Sequence, residues 1–252
     1  MRRAAAVALL VAATYAAAQP LPFHLPKQPQ PVLYGTILIR RATRTGPMKP
    51  VAFSHWSHRV RYTCRVCHLE LDFAMRTNST EITEDANRRG AYCGACHNGK
   101  TAFAQTEKNC ARCHAGTMDE VPDGFFKLLD LPPARFGNTI DWTRALASGE
   151  IHPAQSLAKG YEPLPFDKTL SLEADWNFVS PATFPHAEHV RWLDCANCHP
   201  SPFNIKKKTT KHFSMRLNLA GEFCGACHLR VAFPLDDCQR CHPEMKERPV
   251  AR

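Results

Sequence analysis

The chain lacks several features that would place it in a familiar class. None of its twelve cysteines stands alone, because each has a partner three residues away, and none lies between residues 119 and 180. That regularity excludes the varied spacings of a disulfide scaffold. No apolar run approaches the roughly 20 residues needed to cross a bilayer. Hydrophobic periodicity is weak through both cysteine-bearing regions, so neither is expected to fold around a large side-chain core.

What is present begins with an export signature. Arg2 and Arg3 precede an apolar stretch, Ala4 to Ala13, and small residues Ala16, Ala17 and Ala18 precede Gln19. This pattern predicts a cleaved secretory signal peptide over residues 1–18. No cysteine follows closely enough to suggest a lipid anchor. The mature chain is therefore expected in the periplasm, with no transmembrane segment.

All twelve cysteines fall into six Cys-x-x-Cys-His motifs, at Cys64–His68, Cys93–His97, Cys110–His114, Cys195–His199, Cys224–His228 and Cys238–His242. Two thiols three residues apart share one face of a helical turn, where both can add to the vinyl groups of one porphyrin. The adjoining histidine then reaches the iron. A zinc site would not need a histidine immediately after every second cysteine. The motifs thus predict six covalent c-type haems, attached through Cys64, Cys67, Cys93, Cys96, Cys110, Cys113, Cys195, Cys198, Cys224, Cys227, Cys238 and Cys241. His68, His97, His114, His199, His228 and His242 are the predicted proximal ligands. Twelve haem propionates would largely offset the formal charge of +9. The basic side chains accordingly predict propionate partners and a solvated face, with no nucleic acid partner.

The chain also repeats itself. With an offset of 131 residues, Phe53-Ser-His55-Trp-Ser-His58 falls on Phe184-Pro-His186-Ala-Glu-His189, Cys64 on Cys195 and Cys93 on Cys224. Asn87, Gly90 and Cys93-Gly-Ala-Cys-His97 likewise fall on Asn218, Gly221 and Cys224-Gly-Ala-Cys-His228. One three-haem module is used twice. The expected organisation is a signal peptide (1–18), a proline-rich and poorly ordered segment (19–34), module 1 (35–118), a connecting segment (119–180) and module 2 (181–252). The connecting segment is expected to hold one short helix from Asp141 to Ser148, capped by Asp141, and otherwise to run extended over a module. The predicted fold class is mainly irregular with short α-helices, two modules each organised around covalently bound haems, and collapse without them.

Both modules resemble the three-haem c7-type cytochromes of the cytochrome c3/c7 superfamily. The resemblance rests on Phe-x-His-x-x-His ahead of the first motif, on Cys-Gly-Ala-Cys-His as the second, and on Cys-x-Arg-Cys-His as the third. It implies that the first histidine of Phe-x-His-x-x-His ligates the first haem and the second ligates the middle one. His55 would then pair with His68, His58 with His97, His186 with His199, and His189 with His228. For the third haem the resemblance implies histidine or methionine supplied from between the first two motifs. In module 2 this favours Met215, with His212 as the alternative. In module 1 Glu84 stands where Met215 would, and Met75 is the nearest sulfur; otherwise Glu84, His24, His152 or nothing ligates that iron.

Irons held by two protein ligands cannot bind substrate, so such a chain is expected to relay electrons and not to be an enzyme. The resemblance implies a small periplasmic carrier in an anaerobic or metal-linked respiratory chain. Its expected redox partners are a membrane quinol-oxidising complex or other cytochromes. The alternatives are a haem-bearing subunit of a larger respiratory oxidoreductase complex, or a multihaem reductase with one open haem.

Overall fold

The computed structural model describes residues 24–119 and 124–246, so the signal peptide read at residues 1–18 lies outside the described residues. Most of the chain is irregular. Strand β1 (Thr36–Ile39) pairs antiparallel with β2 (Val51–Ser54), in a register that sets Ile37 opposite Phe53. β2 passes directly into helix α1 (His55–Arg59). In the second copy β3 (Thr169–Leu172) pairs with β4 (Ala182–Pro185), Leu170 opposite Phe184, and β4 passes directly into α5 (His186–Val190). β3 lies within the stretch read as connecting, yet it serves module 2 as β1 serves module 1.

The intervening helices keep the repeat. Helix α2 (Glu84–Arg88) is capped by Thr83, whose side chain accepts from the Ala86 N–H, and α6 (Met215–Leu219) by Ser214, which accepts from the Leu217 N–H. A hydroxyl at this position satisfies an N–H that the first turn leaves without a partner. Each helix ends ahead of a left-handed glycine, Gly90 (φ +86°) or Gly221 (φ +90°). A Cβ on Gly94 would lie 1.8 Å from the Asn87 carbonyl oxygen, and one on Gly225 would lie 1.7 Å from that of Asn218. The glycine of each Cys-Gly-Ala-Cys-His motif is therefore required by close packing against the preceding helix.

The connecting segment departs from the extended path expected of it. The helix capped by Asp141 is present as α4 (Trp142–Ala147), with α3 (Cys110–Cys113) preceding it, and the Asp141 side chain accepts from the Arg144 N–H at 3.0 Å. Around α4, however, the segment builds the main hydrophobic cluster: Phe125, Ile140, Trp142, Ala145 and Ile151 bury themselves against Trp56 of α1. Val60 and Trp192 pack on its edge, so both modules touch it. Each fully buried side chain of this size is worth roughly 2 kcal/mol, which outweighs the tendency of proline-rich chain to lie loose. The apolar residues are spread over too many turns to read as one periodic element. The described part of the proline-rich segment is likewise held, by Gln28 donating to Asp236 at 2.8 Å and by burial of Tyr34. Among the described residues no helix is long and apolar enough to cross a membrane.

Candidate functional site

The cysteine motifs fold as single turns. In five of the six the histidine N–H reaches back to the carbonyl of the first cysteine, at 2.8–2.9 Å, which puts both thiols on one side. The turns include α3, α7 (Gly225–His228) and α8 (Cys238–Cys241). None of the twelve cysteines is paired in a disulfide. Burial pushes the thiols of Cys67, Cys224 and Cys227 up to about 12, keeping them protonated.

The histidines carry the sharper signal. Each of the ten histidines expected as ligands sets its Nδ1 against a backbone carbonyl. His68 bonds to Phe73 at 2.7 Å, His97 to Phe103 at 3.2 Å and His114 to Lys49 at 2.6 Å. His199 bonds to Phe203 at 2.6 Å, His228 to Phe233 at 2.8 Å and His242 to Ser180 at 2.6 Å. Of the four expected distal histidines, His55 bonds to Gly35 at 2.9 Å, His58 to Ser54 at 3.1 Å, His186 to Lys168 at 2.7 Å and His189 to Pro185 at 2.9 Å. A carbonyl only accepts, so every Nδ1 carries a hydrogen, and in the neutral ring that leaves the lone pair on Nε2. Metal-ligating histidines are oriented in this way, by a second bond that fixes tautomer and ring. Among the described residues His24, His152 and His212 have no such bond.

Three of the four expected histidine pairs face each other. Ring centres are 6.5 Å apart for His55 and His68, with planes 6° from parallel. They are 6.2 Å apart for His58 and His97, and 6.2 Å for His189 and His228. Two nitrogens each about 2 Å from one metal, and each about 1 Å from its ring centre, put the rings about 6 Å apart. The gap between each pair thus matches one metal atom. Burial lowers His55 to about 3 and His228 to about 4, so both stay neutral and able to ligate. His186 and His199 bond to Lys168 and Phe203 but form no facing pair among the described residues. Neither His114 nor His242 faces a second histidine ring there.

Aromatic residues hold the rings in place. Phe53 packs edge-on against His55 at 4.9 Å and lies more nearly parallel to His58, 33° apart at 4.5 Å, and Phe184 repeats this edge-on with His186 at 4.9 Å and 30° from parallel with His189 at 4.2 Å. Phe103 and Phe233 each lie 4.4 Å from the proximal histidine whose Nδ1 their carbonyl accepts. The repeated Ala-Phe after each second motif carried a signal for these two; nothing in the sequence singled out Gly35, Lys49, Lys168 or Ser180, which act through their carbonyls. Met75 and Met215 are both partly buried, while Glu84 and His212 are exposed. Met215 opens α6 at the place where Glu84 opens α2; Met75 lies in a bend. Among the described residues no three histidine, cysteine or acidic side chains converge on a bare ion, as a zinc site would require.

Paired cysteines on single turns, histidines whose Nδ1 is tied to a backbone carbonyl, and three histidine pairs about one metal atom apart define a multihaem cytochrome of the c type. The chain belongs to the family of cytochrome c7 and related cytochrome c, whose model matches residues 51–115 and 182–243, just over half of its length. Among solved structures, a c7-type three-heme cytochrome domain is 32% identical, over 35% of this chain and 95% of its own, with a TM-score of 0.28. The C-terminal hexaheme fragment of GSU1996 is 26% identical over 86% of this chain and 99% of its own, with a TM-score of 0.28. Its N-terminal hexaheme fragment is 24% identical over 84% and 99%, with a TM-score of 0.27. No curated protein matches the chain.

Proposed function

We propose that the chain carries six covalent c-type haems and relays electrons as a periplasmic protein of a respiratory chain, exported through residues 1–18. The observation that carries this reading is the uniform state of the ten histidines, each held by a backbone carbonyl with Nε2 left to bind iron. Each cysteine pair would attach one porphyrin, and the following histidine would bind its iron from one side. His55, His58, His186 and His189 would bind from the other, and Met75 and Met215 would serve the third irons. When bound, the haems supply one-electron chemistry. The protein's part is to fix ligand orientation, keep His55 and His228 neutral by burial and exclude exchangeable ligands from the paired sites. Membrane quinol-oxidising complexes and other cytochromes fit as partners.

One observation favours a second reading. His114 and His242 face no second histidine among the described residues, so an iron there could be open, as a reductase requires. Haem counting by alkaline pyridine absorbance, followed by carbon monoxide titration of the reduced protein, tests both. Six haems with little carbon monoxide uptake are expected. One or more equivalents bound per chain would replace the carrier reading with the reductase one.

A further inference from the structure

In sequence order, module 1 ends at its third motif and module 2 begins at its first, so a relay read along the chain would cross from the site at His114 to the site at His199. The hydrogen bonds between modules lie elsewhere. Asn197, inside the first motif of module 2, donates from Nδ2 to the carbonyl of His68, the closing residue of the first motif of module 1, at 3.1 Å. Arg65, inside that same motif of module 1, donates from Nε to Asp194 at 3.1 Å, from its backbone N–H to Trp192 at 2.9 Å and from Nη1 to Gln155 at 3.1 Å. Its guanidinium also bonds Glu70 and lies 4.0 Å over the Tyr161 ring.

The receiving side is equally fixed. Asp194 accepts from the Ala196 N–H at 3.0 Å, and its own N–H donates to Asn197 Oδ1 at 2.8 Å, a reciprocal cap on the turn that starts module 2's first motif. Arg65 side-chain exposure is 13%, so this ion pair is not a loose surface contact. A second set of bonds seats module 1 and the segment just ahead of it on the loop after the middle motif of module 2: Arg59 donates to the Val231 carbonyl at 2.9 Å and Tyr34 to that of Ala232 at 2.6 Å. The third motifs are tied away from the other module, His114 to Lys49 of its own module and His242 to Ser180 at the end of the connecting segment.

We infer that the two modules are docked head to head, first haem site against first haem site, with Arg65 and Asn197 as the positioning residues, so that electrons cross between modules there. The residues between the cysteines of these two motifs thus act as a docking code as well as spacers. With haems bound, each crossing would be a one-electron exchange between the first sites of the two modules, balanced by a one-electron donor and a one-electron acceptor at other sites. The inference rests on the electron-relay reading.

The test uses the full haem-loaded chain and hydrogen exchange read by mass spectrometry. Arg65→Ala should speed exchange about 10-fold in residues 61–71 and 190–198 together, and leave residues 107–116 unchanged. The charge exchange Arg65→Asp with Asp194→Arg should restore part of the protection. Asn197→Asp, which keeps the capping oxygen and removes the donor to His68, is the milder variant should Arg65→Ala fail to load haem. In redox titrations the two first-site potentials should shift one another in the native chain and cease to do so in Arg65→Ala. Unchanged exchange in both variants, or first-site potentials that never interact, would overturn the docking. Fewer than six haems or substrate turnover would remove the relay reading instead, while the exchange data still report on docking.

Discussion

The two copies of the repeat share a backbone plan and differ in what surrounds it. In both, a two-stranded sheet runs into a helix whose first histidine sets N–H and Nδ1 on a single carbonyl, Gly35 for His55 and Lys168 for His186. In both, a capped helix packs its C-terminal carbonyl against a motif glycine. Module 1, however, is sunk into the hydrophobic cluster through Trp56, and its sheet carries a buried Thr36–Ser54 hydroxyl bond at 3.0 Å. Residue 187 of module 2, at the place of Trp56, is alanine, and β3 alternates exposed and half-buried residues. The difference shows that haem-site geometry is set inside each repeat, while attachment to the rest of the protein is supplied by residues the repeat leaves free to vary.

The largest effect should come from breaking that attachment. Trp56→Ala opens a cavity in the cluster and should cost about 3–5 kcal/mol, read as a lowered Tm by calorimetry. Ala187→Gly at the equivalent place should cost no more than about 1 kcal/mol. Equal losses would mean that the connecting segment does not favour module 1.

Substitutions inside the shared plan should behave alike instead. Gly94→Ala and Gly225→Ala each push a methyl group against a backbone carbonyl and should each cost about 3 kcal/mol. Each should also lower the haem content of its own module, measurable by mass spectrometry of proteolytic fragments. A large difference between the two would show that the repeats are not packed equivalently around their middle sites.

How much of this was legible follows from where the chemistry lies. The cysteine motifs, the paired histidines and the Asp141 cap show in the sequence because side-chain identity encodes them. The glycines of the middle motifs recur at the repeat offset, and their close approach to Asn87 and Asn218 gives the reason. The ring-orienting carbonyls of Lys49, Gly35, Lys168 and Ser180 could not be read, because any residue offers a carbonyl. Nor could the cluster around Trp142, whose members come from four short stretches. Arg65 and Asn197 stand at positions a haem motif leaves open, so only the fold gives them a partner.

The junction itself should open in acid. Burial pushes the Asp194 carboxyl up, but the Ala196 N–H and the Arg65 guanidinium outweigh it and hold the group below its ordinary value of 3.8. A carboxyl depressed in the folded state contributes stability that is fully present above its unfolded value and lost as pH falls through the folded one. Hydrogen exchange in residues 190–198, corrected for the intrinsic amide rate at each pH, should therefore hold steady down to about pH 4 and rise below it. In Asp194→Asn, which cannot titrate, that rise should be absent.

The smallest expected change is also the finest probe of the asymmetry between modules. Glu84 and Met215 open equivalent helices behind equivalent caps, and only the second offers a thioether. Glu84 makes an exposed i,i+4 pair with Arg88, worth about 0.3–0.5 kcal/mol, so Glu84→Met should barely alter the fold. If the third iron of module 1 is approached from the start of α2, the new sulfur should raise one haem potential, because methionine stabilises the ferrous state relative to histidine. Met215→Glu should lower one potential in module 2. Met75→Ala separates the remaining possibility: a lowered potential and lost thioether absorption would place Met75 on that iron. In that case Glu84→Met should change nothing, and module 1 would reach the same ligand type from a different point on its chain.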